Sequence, residues 1–172
     1  MFSKADIEKY FIAEKQESLL FIIIGLAAIV LGAVFFFGLK TSFYKGAALP
    51  LVLIGLLLGI VGYTVYTRSD KDRSRNVYAF DLNPGDLKTK EVPRMEKVMK
   101  SFVLYRYTEI ILALVGLGLF FYFNKNEAQV FWKGFGLALC IMALIALTAD
   151  YFAEQRGGNY LKGLKDFLDS LR

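Results

Sequence analysis

The sequence predicts an all-α integral membrane protein: four transmembrane helices arranged as two tandem hairpins. Three observations predict it. Four long runs carry no charge, Lys and Arg crowd the segments that would share one side of a membrane, and the chain repeats itself loosely at a spacing of 88 residues.

The uncharged runs cover residues 18–39, 46–67, 110–124 and 134–149. A spanning helix needs about 20 mostly apolar residues. The first two runs reach that length. The last two reach it when Glu109 and Asp150 sit inside or at the edge of the bilayer. Residues 49–61 are apolar around the whole helix circumference, which excludes a half-solvated soluble helix. Orientation follows from the cations. The N-terminal tail, residues 68–106 and the C-terminal tail hold 17 Lys and Arg, against four (Lys40, Lys45, Lys125, Lys133) on the other side. Both termini are therefore expected in the cytoplasm. No cleavable signal is evident, so the first span is expected to be retained.

The elements follow in order. Ser3 suits an N-cap, and Ile7, Tyr10, Phe11 and Ala13 lead an apolar stripe into the first span, so one helix is expected over 4–38. Residues 1–68 form the first hairpin. Residues 69–92 are polar, contain Asn83-Pro84-Gly85-Asp86, and read as a cytoplasmic linker. Pro93 suits a helix start, and Met95, Val98, Met99 and Phe102 carry that helix toward Phe123. Residues 93–156 form the second hairpin. Gly157-Gly158 is expected to break its last helix. A separate amphipathic helix follows over 157–172, lying on lipid or packing on the cytoplasmic extensions of the first and third helices.

Shifting the chain by 88 residues lays Phe43-Tyr44-Lys45-Gly46 on Phe131-Trp132-Lys133-Gly134, Tyr63 on Tyr151 and Arg68 on Arg156. Two hairpins inserted in the same direction imply a pseudo-twofold axis along the membrane normal, a parallel repeat. Tyr44, Lys45, Trp132 and Lys133 then anchor the outer boundary, and Tyr63, Arg68, Tyr151 and Arg156 the inner one.

Ionisable groups within a span cost about 2.5–3.5 kcal/mol for Asp on insertion scales, so each needs a reason. Glu14, Glu17, Arg106, Glu109 and Asp150 fall at similar depth and form one candidate polar cluster. It serves either as a proton or cation site or as an ion-pair network fixing helix register. Gly55, Gly59 and Gly62 form a small-residue face for a homodimer contact or for packing within the monomer. Pro50 lies near the start of its helix, and Cys140 is a small apolar filler.

With no histidine and one cysteine, His-ligated haem or zinc, His general bases and intramolecular disulfides are excluded. No cofactor or metal is expected. No catalytic or phosphate-binding motif appears in a usable context. The loop over 68–106 carries a net charge of only +4, which does not suggest nucleic-acid binding.

Residues 13–21 (Ala-Glu-Lys-Gln-Glu-Ser-Leu-Leu-Phe), with Phe43-Tyr44-Lys45-Gly46 and the Gly62–Arg68 segment, resemble an uncharacterised family of short four-span bacterial membrane proteins. The resemblance covers most of the first hairpin. It implies a bacterial inner-membrane setting and brings no activity with it. The expected function is non-catalytic: an accessory subunit or immunity-type protein that contacts the bilayer and another membrane or cytoplasmic protein. The alternatives are a small homo-oligomeric channel or proton-coupled transporter using Glu109 and Asp150, and a membrane enzyme.

Overall fold

The computed structural model describes residues 2–171, and among them every regular element is helical. Four long helices dominate: α1 (Lys4–Ala33), α2 (Ser42–Leu82), α3 (Val92–Tyr122) and α4 (Val130–Ser170). Each is long and apolar enough to cross a membrane.

α1 starts where the Ser3 backbone N–H and Oγ both donate to the Asp6 carboxylate, each at 2.8 Å. It ends in a π-helical turn, Val34–Leu39. Lys40 then adopts φ 59°, a left-handed cap that reverses the chain within two residues. The Thr41 hydroxyl accepts from the Tyr44 backbone N–H to open α2. Pro50 lies in the third turn of α2 rather than its first, and it is buried.

Two expectations need correction. The polar stretch after residue 68 is not a linker, because α2 continues to Leu82. Ser69, Asp72, Asn76 and Ala79 recur at steps of three and four and are all buried, so a stripe of small and polar side chains faces the bundle there. The chain turns only at Asn83, then runs through a short turn (Pro84–Asp86) and a π-helical turn (Leu87–Glu91) into α3. Gly157-Gly158 does not break α4 either, because the helix is continuous to Ser170. Gly157 sits against Met99, where an added Cβ would lie 3.2 Å from the sulfur, so the missing side chain serves close packing.

α2 and α4 form the centre, with α1 flanking α2 and α3 flanking α4. The most apolar stretch of α3 is the least enclosed, at 6% buried, against 28% for α2 and α4. The apolar half is joined by small residues. Ala28, Ala47, Leu51, Ala138 and Met142 form its core. At the far end, a Cβ on Gly46 would lie 2.0 Å from the Phe131 carbonyl oxygen, and one on Gly134 would lie 2.0 Å from that of Phe43. The two hairpins thus meet backbone to backbone, reciprocally.

The opposite end is a polar head. Ile7, Tyr10, Phe11, Ala79, Leu87, Met95, Tyr160 and Leu164 form its buried core. The Tyr10 and Tyr160 rings stack at 4.1 Å, and Phe80 stacks on Phe167 at 4.4 Å. Of the two readings for the C-terminal segment, the structure adopts the packed one. Leu164 is fully buried among α1 and α3 residues.

Candidate functional site

Glu109 on α3 and Asp150 on α4 face one another where these antiparallel helices pack. Glu17 and Glu154 lie close enough to act on Asp150 electrostatically. Glu109 Oε2 is buried and has no hydrogen-bond partner among the described residues. The acids still do not converge as a metal cage: no group of three among the described residues is placed to hold an ion.

The five-residue cluster holds together only in part: Glu109, Asp150 and Glu17 lie near one another, and Glu14 stands apart. Arg106 does not bridge to Glu14, Glu17 or Glu109; its guanidinium pairs with Glu154 on α4. Glu17 pairs with Arg156. Glu14 accepts from Ser69 Oγ at 3.1 Å and Tyr10 OH at 3.3 Å, with Arg68 at 3.4 Å. Topology explains the split. α1 packs on α2, with α4 beyond, so its glutamates face α2 and α4 rather than α3. Arg68 and Arg156, expected as boundary anchors, clamp α1, one within the first hairpin and one between hairpins.

The remaining residues separate cleanly. Tyr63 and Tyr151 are exposed, as are Lys45 and Trp132. Tyr44 packs on Phe35 at 4.8 Å, and the Lys133 ammonium lies 5.5 Å from the Phe120 ring centre. Gly55 and Gly62 pack on α1: an added Cβ would meet the Gly25 and Ser18 carbonyl oxygens at 2.8 and 2.7 Å. A Cβ on Gly59 would meet nothing within 4 Å, although the Gly59 backbone itself lies against Gly25.

Sequence reasoning missed the most enclosed charge. Glu91 is 0% exposed. Arg94 grips it with two hydrogen bonds, Nε to Oε2 at 2.9 Å and Nη2 to Oε1 at 2.6 Å. Arg75 from α2 approaches at 3.6 Å, and Tyr160 from α4 donates at 3.3 Å. One carboxylate thus ties the start of α3 to α2 and α4. Burial opposes the Arg94 charge, but the bound Glu91 outweighs it and raises the guanidinium above its ordinary value. Burial, with the Glu14 and Glu91 charges, likewise holds the Tyr10 and Tyr160 phenols above theirs. The sequence carried one signal for this site, the i,i+3 spacing of Glu91 and Arg94 beside Pro93.

No family model, curated protein or solved structure matches this chain. Chemically, the head network does one thing well. It satisfies buried acids with arginines, so that helices from both hairpins hold one fixed arrangement.

Proposed function

We propose that the chain is a non-catalytic, multi-pass protein of a bacterial inner membrane that acts through protein–protein contacts, as an accessory subunit or immunity-type protein. Both termini, and with them the head, lie in the cytoplasm on this reading. One observation carries it. The acids buried in the head are bound by arginines, Glu91 by Arg94 and Glu14 by Arg68, which supports a role in holding a shape. That shape presents exposed Lys71, Lys88, Lys97, Lys100 and Lys162 to water. The excess of cations at this end supports the cytoplasmic placement. The reciprocal Gly46–Phe131 and Gly134–Phe43 approaches support the parallel repeat, since the shift of 88 exchanges one for the other.

The test is affinity purification from native membranes in mild detergent, with quantitative mass spectrometry of what accompanies the chain. One stoichiometric foreign protein is the expected result. A clean homo-oligomer with no partner overturns it.

A second reading, the homo-oligomeric channel or proton-coupled transporter, is favoured by the facing carboxyls of Glu109 and Asp150 and the unsatisfied Glu109 Oε2. Glu109→Gln and Asp150→Asn should each abolish flux in reconstituted vesicles if it holds, and unchanged flux removes it. The Gly55 face is filled by α1, which favours packing inside the monomer over a homodimer interface.

A further inference from the structure

The two hairpins turn differently at the far end. The first reverses through Lys40 and Thr41 alone, after its π-helical turn. In the second, α3 stops at Tyr122, and residues 123–126 form a turn that leads through a short 3-10 helix, Glu127–Gln129, into α4. The shift of 88 places residues 35–41 of the first hairpin on this loop. Where the first hairpin has wound helix, the second has opened. The opening is a recess of about 400 Å3, walled by Phe123, Glu127, Val130 and Lys133 of the second hairpin and by Phe43 of the first.

The chemistry of the lining is mixed in a specific way. Phe43, Phe123 and Val130 supply an apolar wall, Lys133 a cation and Glu127 an anion. Asn124 and Asn126 add amides, the Asn126 side-chain oxygen accepting from the Ala128 backbone N–H at 3.1 Å. Tyr44 and Trp132 follow the lining residue Phe43 and precede the lining residue Lys133 in the chain, and such rings belong at the level of lipid headgroups.

We propose that this recess binds the headgroup of a zwitterionic aminophospholipid, with the phosphate on Lys133 and the ammonium on Glu127. An anionic headgroup would leave Glu127 facing like charge, and a purely cationic ligand would oppose Lys133. A zwitterion meets both, and the apolar wall suits the glycerol and first acyl carbons beneath it. The first hairpin has the equivalent cation, Lys45, but no loop to form a recess.

The experiment is native mass spectrometry of the full chain extracted from vesicles of equal phosphatidylethanolamine and phosphatidylglycerol. Wild type should retain phosphatidylethanolamine preferentially. Removing either charged partner of the headgroup should lower that retention about tenfold. Lys133→Gln and Glu127→Gln should therefore both weaken it, Lys133→Arg should keep it, and Lys45→Gln should leave it unchanged. Glu127 lies in the loop, so Glu127→Gln still decides the matter should Lys133→Gln fail to fold by circular dichroism. Equal retention of phosphatidylglycerol overturns the zwitterion, and an equal drop in Lys45→Gln overturns the recess as the site. Competition by free phosphoethanolamine separates the sources. Displacement only at far higher concentration than a short-chain phosphatidylethanolamine supports the lipid, and displacement at equal concentration overturns it in favour of a soluble ligand.

Discussion

The apolar half and the polar head of one bundle are built by opposite rules. In the apolar half, glycine and alanine let helices approach until backbones touch, as at Gly46 and Gly134. In the head, large rings and buried ion pairs fill the same role, as in the Tyr10–Tyr160 stack and the Glu91–Arg94 pair. The difference fits the two solvents that the proposed membrane placement would give the two halves. Lipid supplies no hydrophobic drive between helices, so close van der Waals packing must. Water rewards burial of rings, and it makes an enclosed charge worth keeping only when it is gripped.

The largest break of this contrast should come from Glu91→Ala. It leaves Arg94 buried without its carboxylate, which costs about 3–5 kcal/mol. Hydrogen exchange should rise through residues 5–15 and 155–167, while the spans stay protected. Equal deprotection of both halves would mean that they are not separate in stability. Gly134→Ala attacks the other half. Its Cβ meets the backbone of Phe43, not a flexible side chain, so overpacking should cost about 3 kcal/mol. Thermal melting in detergent should fall without exposing the head. Gly55→Ala should cost about 1–3 kcal/mol by the same argument, and Gly59→Ala close to nothing, because its Cβ position is open. A homodimer built on this face would reverse that order and change the oligomeric mass.

Alkaline pH sharpens the comparison more gently. The Tyr10 and Tyr160 phenols are held above their ordinary value of 10.0 in the folded head. Unfolded, they ionise near that value. Head stability is therefore full below pH 10 and declines as pH rises past it. The double substitution Tyr10→Phe, Tyr160→Phe should flatten that decline in a pH series of melts, and an unchanged slope would assign the effect to other groups. The smallest effect should be Lys165→Ala. The Lys165–Glu96 bridge lies at the surface and contributes little. The lysine holds the Glu96 carboxyl below its ordinary range, so whatever the bridge contributes is present at neutral pH and fades as acid protonates that group.

Much of this architecture was legible in the residues. The uncharged runs located the long helices, and the Asn83-Pro84 turn fell where the chain reverses. The length of α2 was not legible, because Ser69, Asp72 and Asn76 occupy an inward stripe that hydrophobic periodicity cannot see. Gly157-Gly158 misled for the reverse reason. A glycine pair signals a break in isolation, but a neighbouring methionine can make it a packing site. The candidate cluster was half legible. Depth along the helix put Glu109 beside Asp150 and Glu17 near it, but depth cannot tell which faces meet, so it did not show that Glu14 pairs with Arg68 and Arg106 with Glu154. Glu91 was hidden among Lys88 and Lys90, where a charge reads as solvated.

The Glu17–Arg156 clamp joins residues 139 positions apart. A ribosome delivers Glu17 long before Arg156. Until α4 is made, the first hairpin carries an acid whose counterion does not yet exist. The clamp between the hairpins therefore closes only after α4 has emerged. A chain interrupted anywhere before α4 would leave that carboxylate bare, and so would mark itself as unfinished to any protease that surveys nascent chains.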